Sequence, residues 1–209
     1  MTDYGKIKKL FEINETCGYS EEDLSYWVNT YGSVPKALMD YYVQFGKHKT
    51  LNNAQDFLIK PAMFEEYADS NYLIFYSENQ GVVVWGVKKE DAGKEDPPVY
   101  ENYYEDEWHL TEGTVSAFLI SMAHLQAVMG MEFSSEEYIE ISQKQAERIA
   151  KRFASKEADS GLYTGVKFYG DHDDTVIVVM NNNDNFILMY SSSDEEHFDE
   201  VDELINDII

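Results

Sequence analysis

Apolar and polar positions change rhythm several times along the chain, and each change marks an element. Ser20-Glu21-Glu22-Asp23 sets a hydroxyl and a carboxylate three residues apart, the reciprocal pattern that satisfies two orphan amides at a helix start. A helix is therefore predicted from there to about residue 31. Ser33-Val34-Pro35 opens a second helix, because proline in a first turn forfeits no backbone hydrogen bond. Leu38, Tyr41, Tyr42 and Phe45 then recur every three or four residues, and Gly46 suits the end.

The middle of the chain changes period. Asp56-Phe57-Leu58-Ile59 stops at Pro61, and the β-rich runs at 71–76 and 81–87 flank the polar turn Ser77-Glu78-Asn79-Gln80, which reads as a hairpin. Beyond a loop at 88–98 come Val99-Tyr100 and a segment around Trp108, and Thr114 caps an apolar helix over 115–129. Ser134 and Glu137 form another capping pair, from which a helix runs to about residue 153 with a stripe of Ile139, Ala146, Ile149 and Phe153. Its acids, Glu136, Glu137 and Glu140, stand at the start and its bases at the end, which matches the helix dipole. Three short strands follow, about 164–169, 175–180 and 186–190, separated by the Asp- and Asn-rich turns 171–174 and 181–185. Ser193 with Glu196 caps a last helix whose face is Phe198, Val201, Leu204, Ile205 and Ile208.

Hairpin-length turns forbid parallel crossovers, so these elements define an α+β fold with an antiparallel or mixed sheet packed against helices. No repeat and no Gly/Ser- or Pro-rich linker divides the chain. The reading is one domain over residues 1–209, with 1–19 as an N-terminal extension or helix.

Composition narrows the partners. With 44% apolar residues and 30 aromatics in 209 residues the chain can build a core, so disorder is excluded. Forty acids against sixteen Lys and Arg leave a net charge of −24. Phosphate backbones and anionic membrane surfaces need clustered bases, so neither nucleic acid nor membrane is expected as a partner. Such a field attracts a cation or a basic protein. No secretory leader and no membrane span is visible, which places the chain in the cytoplasm.

Little chemistry is written in the motifs. Gly-x-Ser-x-Gly, a phosphate loop, a dinucleotide glycine pattern and His-Glu-x-x-His are all missing, so no catalytic activity, no catalytic residue and no cofactor is expected. Five scattered histidines set no zinc spacing, and Asp171-His172-Asp173-Asp174 reads as a solvated turn whose acids satisfy their own backbone, so no metal is expected. Cys17, with no cation beside it in sequence, reads as a buried thiol. Lys144, Arg148, Arg152 and Lys156 make an i, i+4 stripe that suits an intramolecular partner in one of the acidic stretches.

Several motifs together resemble a known family. Tyr31-Gly32-Ser33-Val34-Pro35-Lys36-Ala37-Leu38 with Gly46, then Glu78-Asn79-Gln80-Gly81-Val82 running into Trp85-Gly86-Val87, then Asp96-Pro97-Pro98-Val99-Tyr100, Trp108 and an apolar helix, resemble in that order the SUKH superfamily, the Smi/Knr-like group. The likeness extends from about residue 20 to the C-terminus. It implies an α+β fold without catalysis and, in bacteria, an immunity protein that binds and neutralises a cognate toxin, here a basic one such as a nuclease. The alternative it implies is a regulatory or scaffold domain like the fungal cell-wall regulators. Trp85, Gly81, Gly86, Pro97 and Pro98 are then structural.

The segment 100–108 combines aromatics with acids and no intervening base outside any clearly marked strand or helix, as an anchor-and-steer surface for a Lys/Arg-rich protein requires. Glu101, Tyr103, Tyr104, Glu105, Asp106 and Glu107 are the expected partner-binding residues.

Overall fold

The structure, a computed structural model, describes residues 2–105, 107–135, 138–156, 162 and 165–209. In chain order its elements are α1 (Gly5–Leu10), α2 (Ser25–Tyr31), α3 (Lys36–Phe45), α4 (Lys49–Asn53), β1 (Phe57–Leu58), β2 (Tyr72–Ser77), β3 (Val84–Lys88), β4 (Val99–Asn102), β5 (His109–Glu112) and α5 (Val115–Gly130). There follow β6 (Phe133–Ser134), β7 (Ile139–Ile141), α6 (Gln143–Arg152), β8 (Lys167–Tyr169), β9 (Thr175–Asn182), β10 (Asn185–Ser192) and α7 (Glu195–Asn206). The fold is α+β, with every strand pair antiparallel. Contacts gather in two compact units, Met1–Tyr4 with Glu15–Leu119, and Gly5–Asn14 with Ile120–Ile209.

The first unit pairs three helices with a five-stranded sheet in the order β1-β2-β3-β4-β5. The Ser20 hydroxyl accepts from the Asp23 amide at 3.2 Å and the Asp23 carboxylate from the Ser20 amide at 2.9 Å, yet residues 21–24 wind as turns and α2 itself starts only at Ser25. Trp27 stacks on Phe64 (3.7 Å between centroids) and meets the edge of Tyr42, whose buried hydroxyl donates to the Ile59 carbonyl at 2.7 Å. Gly46 ends α3 in ordinary right-handed geometry. Its need for glycine is spatial, because a Cβ would stand 2.5 Å from the Tyr19 ring. Gly86 lies opposite Ile74 in β2, where a Cβ would stand 2.9 Å from the Leu73 carbonyl oxygen. Cys17 is half-buried rather than buried, and burial still raises its thiol pKa, which disfavours the reactive thiolate.

The start of α5 explains the Asp96-Pro97-Pro98 stretch. The Asp96 carboxylate accepts from both the amide (2.9 Å) and the hydroxyl (2.5 Å) of Ser116, the Pro97 carbonyl accepts from the Val115 amide, and the Thr114 hydroxyl accepts from Ala117. Phe118 then meets Phe75, Tyr76 and Trp85 on the inner face of the sheet, and all four rings are buried.

The second unit is built on β6-β10-β9-β8, with β7 also paired to β10. Strands β9 and β10 match residue for residue from Asn182/Asn185 to Thr175/Ser192, and Asn183 makes the tight turn with φ of 54°. Two expectations fail here. No helix opens at Ser134: Phe133 and Ser134 pair with Ser192 and Ser191, Ile139–Ile141 pairs with Leu188–Phe186, and α6 begins only at Gln143. The edge of β10 needs backbone partners, and Ile139-Glu140-Ile141 has the two-residue alternation of a strand with one face on the core. Ser142 and Gln145 form the real capping box. Glu136, Glu137 and Thr164 lie outside the described residues. Likewise α7 is capped by Asp194, which accepts from the His197 amide at 3.0 Å, and not by Ser193.

Ile141, Ile149, Phe153, Ile177, Leu188, Val201 and Ile205 fill the core of this unit, with Phe198 and Leu204 against it. The basic stripe serves the same unit. Arg148 donates to the carbonyls of Ile208 and Asp207, Arg152 pairs with Asp171, and the Lys156 ammonium donates to the His172 carbonyl. The turn 171–174 leaves Asp171 and Asp173 exposed, as a solvated turn does, and its acids also pair with other segments, Asp173 with Lys9 and Asp174 with His197. Among the described residues no helix is long and apolar enough to cross a membrane.

Candidate functional site

Strands β4 and β5 pair through Glu101 and His109, so the described residues 103–105, 107 and 108 belong to a hairpin loop. The segment 100–108 is therefore not wholly outside regular structure: its first three residues belong to β4. Buried Asn102 fixes the loop, its amide donating to the carbonyls of Glu105 (2.8 Å) and Glu107 (3.0 Å). Tyr104 sits at φ of 59°, a region a bulky side chain enters only when its surroundings impose it, and its ring stands 64% exposed. At the far end of the loop Trp108 lies flat on Tyr72, 3.9 Å between centroids, and Tyr72 meets the edge of Tyr100.

The loop borders a cleft of about 540 Å³. Tyr104, Glu105 and Trp108 line it together with Glu66, Tyr67 and Asp69, which follow β1, over Ile74, Val84 and Asn102 of the sheet. Among the described residues, three carboxylates and three aromatic rings share one concavity, and no Lys or Arg lines it. Burial and then neighbouring Tyr67 raise the pKa of the Tyr104 hydroxyl.

The six expected binding residues do not act as one patch. Tyr104 and Glu105 line the cleft, whereas strand alternation turns Glu101 to the opposite face from Tyr100 and Asn102, where it pairs across from Trp85. Tyr103, 49% exposed, hydrogen-bonds Glu101, and burial followed by that carboxylate raises its pKa. Glu107 is exposed, and Asp106 lies outside the described residues. Glu66, Tyr67 and Asp69 were not expected at all. Their sequence, Glu65-Glu66-Tyr67-Ala68-Asp69, carries the same mixture of acid and aromatic as 100–108, and that likeness is the signal that could have found them.

Chemically the cleft suits a cation. A guanidinium or ammonium group can lie on the face of an aromatic ring while the carboxylates neutralise it, and partial enclosure strengthens both terms. Comparison with family models, with curated proteins and with solved structures found no match.

Proposed function

We propose that the chain is a non-enzymatic cytoplasmic immunity protein that binds and neutralises a basic protein toxin, with Lys and Arg side chains of the toxin docked in the acidic aromatic cleft. The observation that carries this reading is the convergence of Glu66, Asp69 and Glu105 with Tyr67, Tyr104 and Trp108 around one cavity. The net charge of −24 supports it, because a field of that sign speeds encounter with a basic partner and repels nucleic acid and anionic membranes. The SUKH-like motif order supports the same reading.

The decisive experiment is copurification with the product of the adjacent gene, together with rescue of cells that express that product. A stable complex and rescue are expected, and a harmless neighbour that forms no complex refutes the proposal. Within the complex, Glu66→Lys, Tyr104→Ala and Glu105→Lys combined should weaken binding by more than about 3 kcal/mol, since charge reversal adds repulsion to lost contact. These positions are exposed, so the circular dichroism spectrum should not change. Full affinity in this variant moves the binding face away from the cleft.

A further inference from the structure

A second constellation lies in the other unit, where three potential metal ligands converge from separate points of the chain. Asp174 immediately precedes β9, Asp194 is the N-cap of α7, and His197 stands in the first turn of that helix. His197 Nδ1 lies 2.8 Å from Asp174 Oδ2 and 3.9 Å from Asp194 Oδ1, and the three donor atoms fall within 4.8 Å of one another. We propose that Asp174, Asp194 and His197 bind one divalent cation of the zinc class.

Geometry fits such an ion. Donors on a tetrahedral zinc with bonds of about 2.0–2.1 Å stand about 3.4 Å apart, between the two separations seen, so small side-chain rotations suffice. The ligands are held in place by groups the ion would not disturb. The His197 ring stacks on the His172 ring at 3.8 Å and 7°, and His172 Nε2 is in turn hydrogen-bonded to Glu200 at 3.1 Å. Asp174 has only 14% of its side chain exposed and also accepts from the Ser192 hydroxyl. Asp194 Oδ1 caps the helix through the His197 amide, and a carboxylate keeps further lone pairs for a metal.

Charge and donor type name the class of ion. Two carboxylates neutralise a divalent charge, and Glu195, Glu196 and Glu200 add negative potential that offsets the positive end of the helix. Lys9 and Lys156, which reach the neighbouring turn 171–174, are engaged there with Asp173 and the His172 carbonyl. An imidazole nitrogen beside two oxygens favours zinc, cobalt or nickel over calcium and magnesium, which take oxygen alone. Three protein ligands leave a fourth position for water. A bound ion would join the start of β9 to the first turn of α7.

The test is calorimetric titration of the full chain with zinc chloride in excess magnesium, which occupies the scattered surface carboxylates. One equivalent of zinc should bind, and Asp174→Asn or His197→Gln should each weaken binding at least about tenfold. Asp194→Asn should do the same while keeping the cap, because asparagine caps as well as aspartate. His109→Gln, an exposed β5 residue of the other unit, should bind zinc as the unaltered chain does. If His197→Gln fails to fold, imidazole nitrogen-15 spectra of the unaltered protein decide: zinc must shift the His197 resonances and leave those of His48, His109 and His124 in place. No zinc binding above the magnesium background, zinc binding unchanged in the ligand variants, or shifts at other histidines instead overturns the proposal.

Discussion

Single side chains in this protein carry obligations that set its response to conditions. His124 of α5 is buried, its ring against Phe168 at 5.1 Å and its Nδ1–H directed at the Ile120 carbonyl at 2.7 Å. Burial pushes its pKa down to about 4, against the pull of that hydrogen bond and helped by Lys156 and Lys6. In the unfolded chain the same ring takes a proton near pH 6.5, so below that pH the unfolded state holds more protons. Stability is therefore complete above pH 6.5 and falls as the pH drops toward 4, by about 1.4 kcal/mol per pH unit from this residue alone. Unfolding free energies from urea titrations at pH 7.5 and 5.5 should differ by about 1.4 kcal/mol more in the unaltered protein than in His124→Met. Equal pH dependence in both would show that the ring titrates freely. Tyr42 makes a simpler case: Tyr42→Phe strands the buried Ile59 carbonyl and should cost about 1–2 kcal/mol, read in the same urea titration.

Elements are where local signals and tertiary demand compete. The Ser142 box predicts that Ser142→Ala lowers stability by about 1 kcal/mol, whereas Ser134→Ala, at the start of the stretch that reads as a helix in sequence, should lose no cap energy. A thermal melt of the two variants separates them. Helix α3 and the inner face of α7 were legible by a periodic stripe, α5 by a continuous apolar run behind the Thr114 cap, and the β2–β3 hairpin by two β-rich runs around a polar turn. Ser134 and Ile139–Ile141 misled because Ser-x-x-Glu is short and common, while the bonds that place these residues in strands come from β10, some fifty positions away. The candidate site divided in the same way. Tyr104 and Glu105 announced themselves by composition, but half of the cleft comes from the segment after β1 and reaches the loop only through the sheet order β2-β3-β4-β5, which no local pattern encodes.

Across the whole molecule the excess of acids gives salt two opposite effects. Self-repulsion of a chain with −24 charges is screened by added sodium chloride, so the thermal midpoint should rise with ionic strength. Association with a basic partner should slow over the same range, with dissociation changing less, because steering acts through exposed charges screened over about 8–10 Å. A stopped-flow association rate indifferent to salt would remove charge from the account of binding, and a midpoint that falls with salt would mean that surface ion pairs such as Lys9–Asp173 outweigh the repulsion.

The membership of α1 bears on how the chain is made. Ile7 and Leu10 are both buried, yet the unit they belong to resumes only at Ile120, more than a hundred positions downstream. At a synthesis rate of about 5–20 residues per second, the ribosome needs about 5–20 s to deliver the first of their partners. A six-residue helix does not hold together alone in water, so for that interval these apolar side chains leave the exit tunnel with nothing of their own unit to cover them. The other unit, apart from its own first few residues, is contiguous from Glu15 to Leu119 and meets no comparable delay. During translation the segment 15–119 is therefore expected to fold before α1 is covered, and a nascent-chain chaperone has its reason to bind at α1.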